Sequence, residues 1–213
     1  MDIKHSSFSG ISMSIDVKEF EKAEKLIREA PKEYMIGMVR AINRSLPTGS
    51  KIIQKDIAEE YTIKPMSIRR SIVRNKATTK NPSGEIIVVG IPLRMSNFKF
   101  KPTKVPTTRK QQLKGVQIKV KKQGGYLKSK SDPPMFVGTN KSGAPEVFER
   151  TKGGKFKIGW AFSLSIPQML SSPQVYDKVK KEVGEKFEKE LTHEVEYRLE
   201  NSYNTATRSW SKK

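Results

Sequence analysis

The stretch "DIAEEYTIKPMSIRRSI", residues 56–72, decides how the first half of the chain is read. One helix, with Ile52, Ile53 and Ile57 inward, is predicted to end near Tyr61. Pro65 suits the first turn of another, because the first N–H groups of a helix have no partner and proline lacks one. This second helix is expected to reach about Asn75 and to carry Arg69 and Arg70. Two helices about a turn, with arginines on the second, are the layout of a helix-turn-helix that reads bases. Ala58 fits its small position, and Ile68, ten residues on, fits an inward one. Two positions fail. Thr62 stands where the turn wants glycine, and positive φ is costly for a β-branched residue. Ser71 stands where an apolar residue is expected. In such a motif Ser67, Arg70, Ser71 and Arg74 face outward, so Arg70 and Arg74 are the DNA contacts of this alternative. Ordinary packed helices with a basic outer face account for the same residues without exceptions.

Charge gives the next constraint. The 213 residues hold 42 basic and 22 acidic side chains, a net charge of +20. Tyr61–Gly84 contains six basic residues and no acid, and Ile86–Ser131 contains twelve and no acid. Glu85 alone interrupts, so residues 61–131 carry +17. Like charge this dense repels itself unless a partner screens it, which points to a polyanion or an acidic protein. No apolar run approaches 18 residues, so no membrane partner is expected. The opening "MDIKHSSFSG" lacks the apolar segment of a secretory signal. Cysteine is absent, which excludes disulfides, thiolate metal sites and cysteine nucleophiles.

Working outward, "ISMSI" at 11–15 alternates and predicts a strand, and Asp16 with Glu19 predicts a capped helix over 17–29. Met35, Met38, Val39, Ile42 and Leu46 recur at helical spacing over 32–46, after which Thr48 is a candidate cap for a separate helix. "EIIVVGI" at 85–91 predicts a strand; 101–113 has no period and reads as a loop. In "GVQIKVKK", 115–122, Val116, Ile118 and Val120 oppose Gln117, Lys119 and Lys121, and Gly124-Gly125 turns this strand into a hairpin with 126–130. Short strands are expected near 135–137, 146–149 and 156–162, with a hairpin turn at "TKGGKF", 151–156.

Residues 173–200 read as one long helix. Val175, Val179, Val183, Phe187, Leu191 and Val195 repeat every four residues, so the apolar line drifts about 40° per step. A straight helix cannot bury such a line against one flat surface. Either the helix bends at Gly184, or Phe187, Leu191 and Val195 form a subunit interface, in which case deleting 188–200 breaks an assembly. The fold class is α+β: N-terminal helices, a mostly antiparallel sheet with a basic hairpin, and a long C-terminal helix, as one domain over 1–200 with a mobile basic tail over 201–213.

Catalytic patterns are thin. Of two histidines, His193 in "THEVEY" lacks the second histidine of a zinc-protease motif, and residues 61–131 offer Glu85 alone to a metal-dependent nuclease. No enzyme activity, cofactor or metal is expected.

"MVRAINRSL", then "EEYTIKPMSIRRSIVRNKA", then a strand into "GIPL", resembles the tailed-phage minor tail protein Z family. "GVQIKVKK", "PPMFVG" with Phe136 as the inward aromatic, "EVFERTKGGKFKI" and "PQVYDKV" follow in order, so the resemblance runs from Met38 to Leu199. It implies a structural virion protein of the tail-completion or neck type, working as a ring-like homo-oligomer with other tail or connector proteins. Host cytoplasm is then the place of assembly. The basic segment has two candidate partners: genome DNA held without sequence specificity, or an acidic neighbouring protein. Arg109, Lys110, Lys119, Lys121, Lys122, Lys128 and Lys130 are the candidate contacts. A basic nucleic-acid-binding protein using 56–76 is the alternative.

Overall fold

The computed structural model describes residues 3–6, 10–16, 32–112, 114–150 and 157–210. The predicted helix over 17–29 and the "TKGGKF" turn lie outside them. The chain divides into two compact units: residues 1–53, 72–89 and 173–213, and residues 54–71 and 90–172. Both are α+β.

The first unit is a sheet with helices. Strands β1 (Ile3–Ser6), β2 (Gly10–Asp16), β3 (Ile72–Asn75) and β4 (Ser83–Val89) run in the order β1-β2-β4-β3, all antiparallel. On β4, Gly84, Ile86 and Val88 are buried and alternate with less buried residues, the period of a strand with one face on a core. Helix α1 (Lys32–Glu60) lies on that face: a Cβ built on Gly84 would overlap the Cγ2 methyl of Ile42, and one on Gly49 would come 2.8 Å from Ile86 Cδ1. The Asn43 amide clamps the β3–β4 loop, donating to the Ala77 carbonyl at 3.0 Å and accepting from the Ala77 N–H at 2.9 Å.

Two boundaries in this region differ from the sequence reading. The break expected at Thr48 is absent, and α1 continues through Pro47. An interior proline costs about 3 kcal/mol. Buried Met38, Ile42, Leu46 and Ile53 line one face on both sides of it, and each contributes about 1.5–3 kcal/mol, enough to hold the helix together. The helix expected from Pro65 to Asn75 is only Pro65–Arg70 (α2), and Ile72–Asn75 is the edge strand β3. Ile72 and Val73 pair with Val88 and Ile87, and β-branched residues gain more from that ladder than from a helix end. With Arg70 closing a six-residue helix and Arg74 on a strand, the segment 65–75 forms no recognition helix, and the base-reading alternative built on it is withdrawn.

The long helix α5 (Pro173–Trp210) extends ten residues beyond its predicted end and has no break at Gly184. Val175, Val179, Val183, Phe187 and Leu191 are all buried within the protomer. Phe187 and Leu191 are therefore core residues of this chain, not a free subunit interface; the side chain of Val195 lies outside the described set. The sequence shows the drift of the stripe but not how much surface the unit wraps around it. At the far end burial shifts to Glu194, three residues after Leu191, where its carboxylate pairs with Arg44 of α1. Gly184 has open space where a Cβ would sit, and its φ is ordinary. Gly184→Ala is accordingly expected to stabilise the protein by about 0.5–1 kcal/mol, read as a higher denaturation midpoint.

The second unit holds two three-stranded antiparallel sheets. One contains β5 (Lys99–Lys101), β6 (Gln117–Lys119) and β7 (Leu127–Lys128), in the order β5-β6-β7. Between β5 and β6, the segment read as loop forms a short helix, α3 (Arg109–Gln112). The other sheet contains β8 (Phe136–Thr139), β9 (Pro145–Arg150) and β10 (Ile158–Trp160), in the order β10-β9-β8. Val137, Val147 and Ala161 bury its inner side. Phe136, expected inward, is on the outer side instead; its neighbours Met135 and Val137 take the core positions. Phe136, Phe148 and Trp160 are cross-strand partners and form a row, with ring centroids 5.9 Å and 4.9 Å apart. Gly138 makes room for Phe148, whose ring would lie 3.0 Å from a Cβ there. A short capped helix, α4 (Ile166–Leu170), follows, its Ser165 and Gln168 side chains closing a reciprocal capping box.

Candidate polyanion-binding surface

Residues 99–128 of the second acid-free run hold the β5–β6–β7 sheet of the second unit. Phe98, Lys99, Phe100 and Lys101 alternate, with Phe98 buried and both lysines exposed. Val116 and Ile118 are buried in the same way, so the predicted alternation in "GVQIKVKK" holds. Gly115, at φ +72°, supplies a left-handed residue that L side chains rarely adopt as the chain enters β6. The predicted hairpin is present, pairing Gln117 with Lys128 and Ile118 with Leu127.

The stretch that looked like a DNA reader helps to build this sheet. Thr62 N–H donates to the Val120 carbonyl at 2.8 Å, and Lys122 N–H donates to the Glu60 carbonyl at 2.7 Å. The Thr62 hydroxyl donates to the Lys119 carbonyl and accepts from the Lys99 N–H at 3.3 Å. Thr62, one of the two residues that failed the helix-turn-helix pattern, thus ties its own segment to β5 and β6 within the second unit. Tyr61 beside it is fully buried.

Register determines which lysines meet. Lys99 is the cross-strand partner of Lys119, and Gln117 is the partner of both Lys101 and Lys128. Cross-strand partners share a face, as do residues two apart on one strand. One face therefore carries Lys99, Lys101, Gln117, Lys119 and Lys128, and the other carries Phe100, Ile118 and Leu127. Strand geometry spaces such side chains about 4.8 Å across the sheet and about 6.6 Å along it. Lys101 is steadied over the Tyr126 ring, with Nζ 4.4 Å from the centroid.

Beside this face is an open concavity of about 700 Å³, lined among others by Lys101, Thr103, Lys104, Gln111, Lys114 and Gln117, with no acid in its wall. None of Lys99, Lys101, Lys104, Lys114, Lys119 or Lys128 has a carboxylate partner among the described residues.

The predicted contacts divide. Lys119 and Lys128 lie on the basic face; Lys110, Lys122 and Lys130 are exposed nearby in sequence, and Arg109 opens α3. Lys121 is different: its Nζ is 3.1 Å from the Glu60 carboxylate. The hydrogen bond that Lys121 donates to that carboxylate, and then the carboxylate's charge, raise the Lys121 ammonium above the usual lysine range, so this cation is already answered within the fold. Lys99, Lys101, Lys104 and Lys114 were not among the predicted contacts. The alternation of Phe98–Lys101 was the one local signal for Lys99 and Lys101.

Among the described residues no three histidine or carboxylate side chains group to hold a metal, and no helix is long and apolar enough to cross a membrane. No curated protein and no solved structure matches the chain. The family model described as prophage minor tail protein Z (GPZ) matches residues 17–207, enclosing the whole span over which the motifs resemble that family. With nine-tenths of its length matched in this way, the chain belongs to the prophage minor tail protein Z family and is a structural protein of the phage tail.

Proposed function

We propose that the protein completes or joins the head-proximal end of the tail as a subunit of a ring-like homo-oligomer. It meets other tail or connector proteins there, after assembly in the host cytoplasm, and its role is structural rather than enzymatic. Its basic surface faces genome DNA or an acidic neighbour. The family supports the tail role. The observation that carries the finer reading is the outer side of the β8–β10 sheet. Ile158, Trp160, Phe162 and Leu164 alternate along one strand and its extension, with Ile158 54% and Phe162 48% exposed. Phe136 and Phe148 continue the patch, and Arg94 lies 3.8 Å over Trp160 at its rim. A contiguous apolar face with polar edges marks a contact surface. A closed ring uses unlike patches on successive subunits, and this apolar face suits one of them.

The test uses Ile158→Lys/Phe162→Lys in particles that carry this gene. Wild-type protein bearing an electron-dense label is expected at the end of the tail nearest the head. The double variant is expected to enter particles at least about tenfold less well, with the isolated protein melting within about 4 °C of wild type. Incorporation at the wild-type level, or label elsewhere on the tail, overturns the reading.

A further inference from the structure

We infer that the Lys99/Lys101/Lys119/Lys128 face and the adjoining concavity are a binding site for the phosphodiester backbone of nucleic acid, engaged without regard to sequence. The inference rests on the proposed tail-end role only for why a genome would be at hand; the site itself follows from register and composition.

Lys99 and Lys119 face each other directly across two strands, with Lys101 and Lys128 on the same face one step along. Like charges directly opposite destabilise a sheet, and no described carboxylate relieves them. A polyanion seated there would offset this repulsion.

The chemistry of the surface favours phosphate over an acidic protein. Protein interfaces centre on aromatic and aliphatic anchors and are depleted in lysine. This face has lysines and Gln117, while the apolar Phe100, Ile118 and Leu127 are on its reverse. The concavity continues with Lys104, Lys114, Thr103 and Gln111, side chains that donate to phosphate oxygens. The chain's apolar contact patch is on the other sheet of the unit, so protein docking and charge binding are assigned to separate surfaces. The basic face presents no helix and no arginine, and its charged donors are lysines, which meet phosphate as point charges.

Binding of the full-length chain to a labelled duplex of about 20 base pairs, and to a single strand of the same length, tests this at 50 and 200 mM salt. If the six lysines each meet a phosphate, duplex affinity is expected to fall about a thousandfold between those salt concentrations. Lys99→Gln/Lys101→Gln/Lys119→Gln is expected to weaken binding on the order of a hundredfold at 50 mM and to flatten the salt dependence. Lys104→Gln/Lys114→Gln, which leaves the sheet untouched, is expected to cost about tenfold. Lys180→Gln/Lys181→Gln/Lys189→Gln on α5 removes the same charge as the first triple and is expected to change affinity less than about threefold.

Equal losses from the two triples would mean that net charge alone binds, and would overturn the site. So would strong preference for one duplex sequence, or binding to polyglutamate with none to either nucleic acid. The ratio of duplex to single-strand affinity identifies which form carries the phosphates. Failure here with the label still at the head-proximal end removes the site and leaves the location standing; the reverse result removes the location and keeps the site.

Discussion

Phe187→Ala is expected to destabilise the isolated protein by about 3–5 kcal/mol, because it empties a fully buried aromatic site on α5. In a chain of this size that corresponds to a melting temperature lower by roughly 6–20 °C, followed by far-UV circular dichroism. The direction separates two roles for the same residue. As part of a subunit contact, Phe187 would be exposed in the free protomer, and its loss would spare the fold while impairing assembly. As core it must cost stability before any partner is present. An unchanged melting temperature would return Phe187 to the interface.

Gly84→Ala should cost nearly as much for the opposite reason. The added Cβ overlaps the Cγ2 methyl of Ile42, which is wholly buried, and Leu46 Cδ atoms are 3.5 Å away. That methyl belongs to a β-branched side chain on a helix, which has almost no alternative rotamer. The helix must therefore lift from the sheet, at about 3 kcal/mol, or roughly 6–12 °C in melting temperature. A double-mutant cycle isolates the cause. Ile42→Ala removes the methyl, so Gly84→Ala in that background is expected to be close to neutral. An equal penalty in both backgrounds would show that something other than the Ile42 contact needs the glycine.

The candidate surface was half legible. The basic run over 61–131, interrupted by Glu85 alone, could be read directly because charge segregation is a property of composition. The alternation in "GVQIKVKK" gave the β6 face, since period two is local. Lys99 and Lys101 were missed because β5 is three residues long and shares its face with β6 only through pairing across the intervening loop. Lys121 was counted as a free cation because Glu60, its partner, lies 61 positions earlier and reaches it only through the Tyr61–Lys121 bridge. The outer aromatic row went unread for the same reason. Phe136, Phe148 and Trp160 belong to three different strands, and one step of register decides whether Phe136 or Val137 faces the core.

What the sequence by itself determined was everything carried by short-range periodicity and charge: the apolar stripe of α1, the alternation of β4 and β6, the long terminal helix, the basic middle third, and the ordered motifs of the family. The tertiary structure alone decided where competing local preferences gave way. Pro47 stays inside a helix because buried residues on both sides outweigh its missing hydrogen bond. Ile72–Asn75 is a strand because β4 offers it a ladder. The drifting stripe of α5 is buried within the protomer from Val175 to Leu191, which its own periodicity did not foretell. In each case the deciding energy comes from contacts between residues distant in the chain, and no local pattern records those.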